Sequence, residues 1–178
     1  AGFLYRMYDS DGNYIQTAYN GNNVSYFDDG AGRRTTLTVA GTTVTQVLGP
    51  DGLDHGLRYE GTTLDRINFP GLRVANFHYD AQNRLERVEN PDGSGLSYTY
   101  YSSSSPMVSN RVESVTEIGT DGSAGNSVSF VYNEDNSTKV TYTFGDGTQI
   151  SETLTFDSYG RPISIIGADG SASAYEYT

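Results

Sequence analysis

The chain has 178 residues, long enough for one substantial core, with 22 acidic and 11 basic side chains and a net charge of −11. Such a balance, with Lys139 as the one lysine, excludes the clustered cations that phosphate backbones or anionic membrane surfaces require. Cys and Trp are absent, Gly (21) and Tyr (15) are abundant, and no apolar run approaches the ~20 residues of a spanning helix, so disulfide, thiol and helical-membrane readings fall away.

The predicted elements follow in chain order. Leu4 to Tyr8 alternates weakly and meets a first turn at Asp9 to Asn13. Tyr14 to Tyr19 reads as a strand, Asn20-Gly21-Asn22 as a hairpin turn, and Val24 to Phe27 as a strand running into the glycine-rich corner 28–32. Arg34 to Ala40 and Thr42 to Leu48 are rich in β-branched residues and flank Ala40-Gly41. Leu57 to Glu60, Thr63 to Phe69 and Arg73 to Tyr79 follow. Ser102 to Pro106 is the linker candidate, within a possible long loop at 102–110. Arg111 to Ile118 and Ser127 to Tyr132, then Thr138 to Phe144 and Thr148 to Phe156, form two further pairs. No stretch keeps a helical period, which predicts little or no helix.

One grammar recurs. Residues 79–100 read YDAQNRLERVENPDGSGLSYTY, and 156–177 repeat the plan: Tyr79-Asp80 matches Phe156-Asp157, Arg84 matches Arg161, and Asp92-Gly93 matches Asp169-Gly170. Tyr98 and Tyr100 match Tyr175 and Tyr177. Weaker copies start at Tyr8-Asp9, Phe27-Asp28, Tyr59-Glu60 and Tyr132-Asn133. Three residues after the leading polar residue stand Gly12, Asn83, Asn136 and Gly160, residue types that tolerate a left-handed backbone. Ala31 and Thr63 break that rule in the copies at Phe27 and Tyr59. The leading Asp or Asn can bond its own turn, so the motif is a reusable corner. Positive φ is expected at Asn83 and Gly160.

Residues two apart on a strand share a face, which pairs Phe77/Tyr79, Tyr98/Tyr100, Phe130/Tyr132, Leu154/Phe156 and Tyr175/Tyr177. An aromatic ladder on one face is expected, with rungs of about 0.2–1 kcal/mol each.

The motifs YDAQNRL at 79–85, FDSYGRP at 156–162 and, in part, YDSDGNY at 8–14 resemble the YD-repeat, or RHS-repeat, family of bacterial toxin shells, bacterial cell-surface proteins and animal teneurins. The repeat-motif residues are Tyr8, Asp9, Gly12, Tyr79, Asp80, Asn83, Arg84, Phe156, Asp157, Gly160 and Arg161. The resemblance implies an all-β fold of stacked antiparallel hairpins forming a curved or spiralling sheet, part of a hollow shell, without enzymatic activity in the repeats. It implies a single repeat region over 1–178, cut from a longer exported or surface protein. Expected partners are flanking repeats or other copies through sheet edges, with a glycan as a further candidate and neither nucleic acid nor membrane insertion.

Catalytic, cofactor and metal sites are not expected. His55 and His78 have no companion at metal-ligand spacing. Asp9-Ser10-Asp11-Gly12-Asn13 alternates oxygen ligands as calcium loops do but lacks the distal Glu, and the corner accounts for the same residues. Asp28-Asp29 and Glu134-Asp135 are weaker cases of the same kind. Arg84 and Arg161 can each fork onto a carboxylate, with the corner Asp as the favoured partner. Asn23 and Asn136 stand in glycosylation acceptor triplets that only a eukaryotic secretory route would use. The self-cleaving aspartyl segment of shell-forming toxins has no counterpart here. Against the structural reading stand a carbohydrate-binding or adhesive module built on exposed Tyr and acidic loops, and a polysaccharide-acting enzyme using carboxylates such as Asp54 and Glu60.

Overall fold

A computed structural model of the chain describes residues 3–102 and 108–177; the linker candidate at 102–106 lies, but for its first residue, outside them. The described chain is all-β and antiparallel, without helix, and divides into two compact units, 1–77 and 78–178.

The first unit holds β1 (Arg6–Tyr8), β2 (Tyr14–Asn20), β3 (Asn23–Asp29), β4 (Arg34–Ala40), β5 (Thr43–Leu48), β6 (Asp54–Glu60), β7 (Thr63–Phe69) and most of β8 (Arg73–Tyr79). Each strand pairs with its neighbours in sequence. The β2–β3, β4–β5 and β6–β7 hairpins close on two-residue turns with Gly21, Gly41 and Gly61 at φ +61°, +64° and +61°. Positive φ at the first central residue alone marks type II′. Each hairpin carries a bulge at the same place, beside Ala18, Thr38 and Arg58. The bulged residues Thr45 and Asp65 reach back across the hairpin, to the Thr38 carbonyl and the Arg58 guanidinium. These features recur every 20 residues, a period set by one hairpin plus its connection.

The second unit holds β9 (Leu85–Glu89), β10 (Gly95–Tyr100), β11 (Val112–Ile118), β12 (Ala124–Tyr132), β13 (Ser137–Thr143), β14 (Gln149–Phe156), β15 (Pro162–Ile166) and β16 (Ala172–Ala174). Its short connections are five-residue turns in which the first N–H donates to the fifth carbonyl and the fourth N–H to the first, as at Asp80–Arg84 and Asp157–Arg161. This is a type I turn completed by a left-handed residue, the three-residue hairpin loop with a G1 bulge. Asn83 (φ +62°), Asn136 (+61°) and Gly160 (+77°) take the left-handed position here, and Gly12 (+84°) does so in the first unit.

Alternation gives each strand an apolar and a polar face. In the second unit Tyr98, Val115, Val128, Tyr142 and Ile150 share one face, while Thr99, Ser114, Ser129, Thr141 and Ser151 run in register across the other. Hydroxyl bonds stitch that polar row, Thr99 to Ser114 at 2.8 Å and Thr141 to Ser151 at 2.9 Å. The apolar face is not a continuous aromatic ladder. Tyr98 faces Val115, Phe130 faces Val140, and Leu154 faces Ile165. Ring contacts are local, at Phe130–Tyr132 and Tyr101–Tyr132. Alternating a ring with an aliphatic side chain fills the pleat without stacking bulk against bulk. The core is thin: Ala75 and Val140 are the buried apolar side chains among the described residues, and no large side chain is fully enclosed.

Candidate functional site: the repeat corner

The residues that carry the sequence motif converge on the turns. At the second-unit corner after β8, Asp80 Oδ1 accepts the N–H groups of Gln82 and Arg84, both at 2.9 Å, and Oδ2 accepts Arg84 Nε at 2.7 Å. The Arg84 guanidinium then lies over the Tyr100 ring, 4.5 Å from its centroid, and Tyr100 donates its hydroxyl to the Leu85 carbonyl at 2.7 Å. A carboxylate, a guanidinium and a phenol thus lock one turn to the end of the strand that returns beside it.

The corner after β14 is a second copy. Asp157 Oδ1 accepts from Tyr159 and Arg161 N–H groups at 2.8 and 2.9 Å, and Oδ2 from Arg161 Nε at 2.8 Å. Arg161 lies 4.4 Å from the Tyr177 ring, and Tyr177 donates to the Pro162 carbonyl at 2.7 Å. In both corners the backbone N–H of the Arg, then its guanidinium, hold the carboxylate below its ordinary value of 3.8. Burial raises the Tyr100 phenol, and the Asp80 charge adds to it. The motif residues Tyr79 and Phe156 end the strands that lead into these corners.

At Asp9 the same turn forms without an Arg: Asn13 supplies both its N–H (2.9 Å) and its side-chain amide (2.8 Å), while Tyr8 remains 64% exposed. The proposed copy at Phe27-Asp28 is displaced by one residue. Asp29 is the corner acid, bonding Ala31 and Arg33 N–H groups at 3.0 and 2.9 Å, with Gly32 left-handed at φ +74°. Asp28 instead faces Arg34 across the strands, and Arg34 covers the Tyr26 ring at 3.6 Å. Nor is Tyr59-Glu60 a corner; Glu60 opens the type II′ turn at Gly61.

A second kind of acid serves the same turns from the third position. Asp92, Asp121, Asp135 and Asp169 each accept the N–H two residues on, at 2.9–3.0 Å, as does Asp146 from Thr148. Of the acids that a calcium reading would use, Asp9, Asp29 and Asp135 accept N–H groups of their own turns, while Asp28 pairs with Arg34; Asp54 accepts from the Gln46 side chain. Among the described residues no group of three or more acids or histidines is placed to hold a metal ion. His55 meets the Phe69 ring edge-on, and His78 Nε2 lies 3.6 Å from Glu89.

Sequence reasoning missed a third corner. Tyr101 N–H donates to the Arg111 carbonyl at 3.1 Å, and Asn110 is left-handed at φ +65°, so a corner closes between Tyr101 and Arg111 with Tyr101 at the place of the leading acid. The signal was Asn110-Arg111, the same pair as Asn83-Arg84.

No protein-family model and no curated protein matches the chain. Solved structures do. A chain in the crystal structure of TcdB2-TccC3-Cdc42 superposes with a TM-score of 0.60 at 14% identity, over 90% of this chain and 9% of that one. TcdB2-TccC3 without its hypervariable C-terminal region gives 0.59 at 14%, again over 90% and 9%. The likeness is one of fold. A porin-like protein from Bacteroides uniformis gives 0.50 at 12% identity, over 97% of this chain and 82% of that one. The present chain thus spans 9% of the TcdB2-TccC3 chain that it matches.

Proposed function

We propose that this chain is a non-enzymatic structural repeat segment of a larger exported protein, a shell or surface scaffold of the YD-repeat type. The observation that carries the reading is the Asp–Arg–Tyr corner, in which the motif residues serve turn and strand geometry. Fold likeness to the TcdB2-TccC3 toxin complex, whose chains contain RHS-repeat shells, supports it. Apart from β12, at nine residues, the described strands run three to eight residues, shorter than the ~9–11 of a membrane-barrel strand, which favours a shell over a porin. Flanking repeats pairing through the sheet edges are the partners this reading supplies. The test uses the full-length parent protein: R84Q and R161Q should expose to protease a segment that the wild type protects. Unchanged protection in both variants would sink the shell role.

A glycan-binding reading draws on one place. A cleft of about 600 Å³ in the first unit is lined by Tyr8 and Tyr14 with Asp9, Asp29 and Arg33. Elsewhere the phenols of Tyr19, Tyr100, Tyr101, Tyr132 and Tyr177 donate to backbone carbonyls, which leaves them less to offer a sugar. Glycan-array binding lost on Tyr8→Ala would favour this reading over the structural one.

A further inference from the structure

We propose that Arg111 is a docking point for a carboxylate presented by another peptide segment, an Asp or Glu side chain. The argument is a comparison within the molecule. Arg84, Arg161 and Arg111 each place the guanidinium carbon over a tyrosine, at 4.5, 4.4 and 4.8 Å from the ring centroids of Tyr100, Tyr177 and Tyr132. All three tyrosines donate to the carbonyl of the residue after the arginine, Leu85, Pro162 and Val112. In the first two corners the guanidinium meets both the ring and the corner Asp, which it pairs with at 2.7 and 2.8 Å. In the third the position of the Asp belongs to Tyr101, whose hydroxyl donates to the Phe130 carbonyl at 2.7 Å. Arg111 keeps its contact with the ring but has no ion pair among the described residues, and residues 102–110 contain no acid.

The guanidinium opens on a cleft of about 480 Å³ that Tyr132, Asn133, Asn136 and Phe156 also line. Two acids stand there. Asp157 is held by Arg161 at 2.8 Å; Glu134 competes with any incoming anion. A pre-oriented fork of N–H donors on an aromatic platform suits a planar carboxylate, which it grips bidentately. The nearby Glu134 and the net charge of −11 penalise a doubly charged phosphate more than a singly charged carboxylate. This inference is independent of the shell reading, since it rests on the corner geometry alone.

The test follows the Arg Nε–H signals of the ¹⁵N-labelled chain by NMR. The probes are a blocked glutamate-containing tripeptide, its glutamine counterpart and inorganic phosphate. The Arg111 signal should move with the glutamate peptide and not with the glutamine one. Arg111→Gln should weaken binding at least tenfold, Arg111→Lys about threefold because the fork is lost, and Glu134→Gln should strengthen it. Tyr101→Asp restores the internal acid and should abolish the response. Three results would each overturn the proposal: no movement of the Arg111 signal, equal affinity in Arg111→Gln, or tighter binding of phosphate than of the glutamate peptide.

Discussion

The two units build the same kind of hairpin sheet with different punctuation. In residues 1–77 tight type II′ turns alternate with five-residue corners on a period of 20, and each hairpin is bulged at one fixed place. In residues 78–178 the short connections are five-residue turns, and arginine–tyrosine stacking ties successive corners together. The first unit also has an acid, an arginine and a tyrosine in contact, Asp28, Arg34 and Tyr26, but it sets them on the strands instead of at a turn. The acid–arginine pair keeps its place at the turn in both units, Asp29 with Arg33 as Asp80 with Arg84, whereas the arginine–tyrosine contact does not. What both units require is a left-handed residue where the chain reverses.

The sharpest way to break this comparison is at glycines that look alike in sequence. A Cβ on Gly95 would fall inside the contact distance of the Val88 backbone carbonyl, so Gly95→Ala should cost about 3 kcal/mol, measured by urea unfolding. Gly56 in the first unit meets only the Asn68 side chain, at 3.4 Å, so Gly56→Ala should change stability by less than about 0.5 kcal/mol. Equal costs would mean that the β9–β10 register differs from that described.

Turn type gives the next largest effects. Gly160→Val should destabilise by more than about 1 kcal/mol, because a β-branched residue is forced to positive φ. Gly160→Asn should be nearly neutral, as Asn83 already shows at the matching position, but Gly41→Asn should cost about 1 kcal/mol, since the type II′ position is not the left-handed helical well that Asn tolerates. Similar values for the two Asn variants would erase the distinction between the units' turns. An effect of opposite sign is expected in the first unit. Leu72 is 99% exposed with φ +64°, so Leu72→Gly should stabilise by about 1 kcal/mol in thermal unfolding.

The smallest effect is common to both units. Asp29, Asp80 and Asp157 are held below 3.8, first by the N–H of the Arg four residues on. A depressed folded value means that their stabilisation is fully present above about pH 4 and is lost as pH falls through the folded values. Melting temperature should therefore hold from pH 7 to about 5 and drop below 4, less steeply in Asp157→Asn. A melting temperature unchanged down to pH 2 would show that the corner carboxylates contribute nothing.

Much of the second unit was legible because its signals are local. Asp80, Asn83 and Arg84 lie within five residues, and the turn that binds them is that short. In the first unit the corner at Asp9 and Gly12 stands where the motif puts it, but the copies at Phe27 and Tyr59 do not, because an aromatic followed by an acid was weighted above the position of the glycine. Counting from Asp29, Gly32 and Arg33 complete the corner; counting from Asp28, nothing does. The stacking of Arg84 on Tyr100 was not legible, since it depends on which strand end returns beside the turn. Alternation placed the aromatic residues on one face but could not say that valine and isoleucine would stand opposite them.

Strand pairing through nearest neighbours in sequence has a kinetic consequence. Within each unit the partners of a strand are the strands just before and just after it, so little loop closure is needed before a contact forms. A hairpin can close as soon as its own residues are free, using its predecessor as template and waiting for nothing downstream. The segment is therefore suited to vectorial folding, one rung at a time, as it leaves a ribosome or a narrow channel. An error in one rung stays confined to its neighbours.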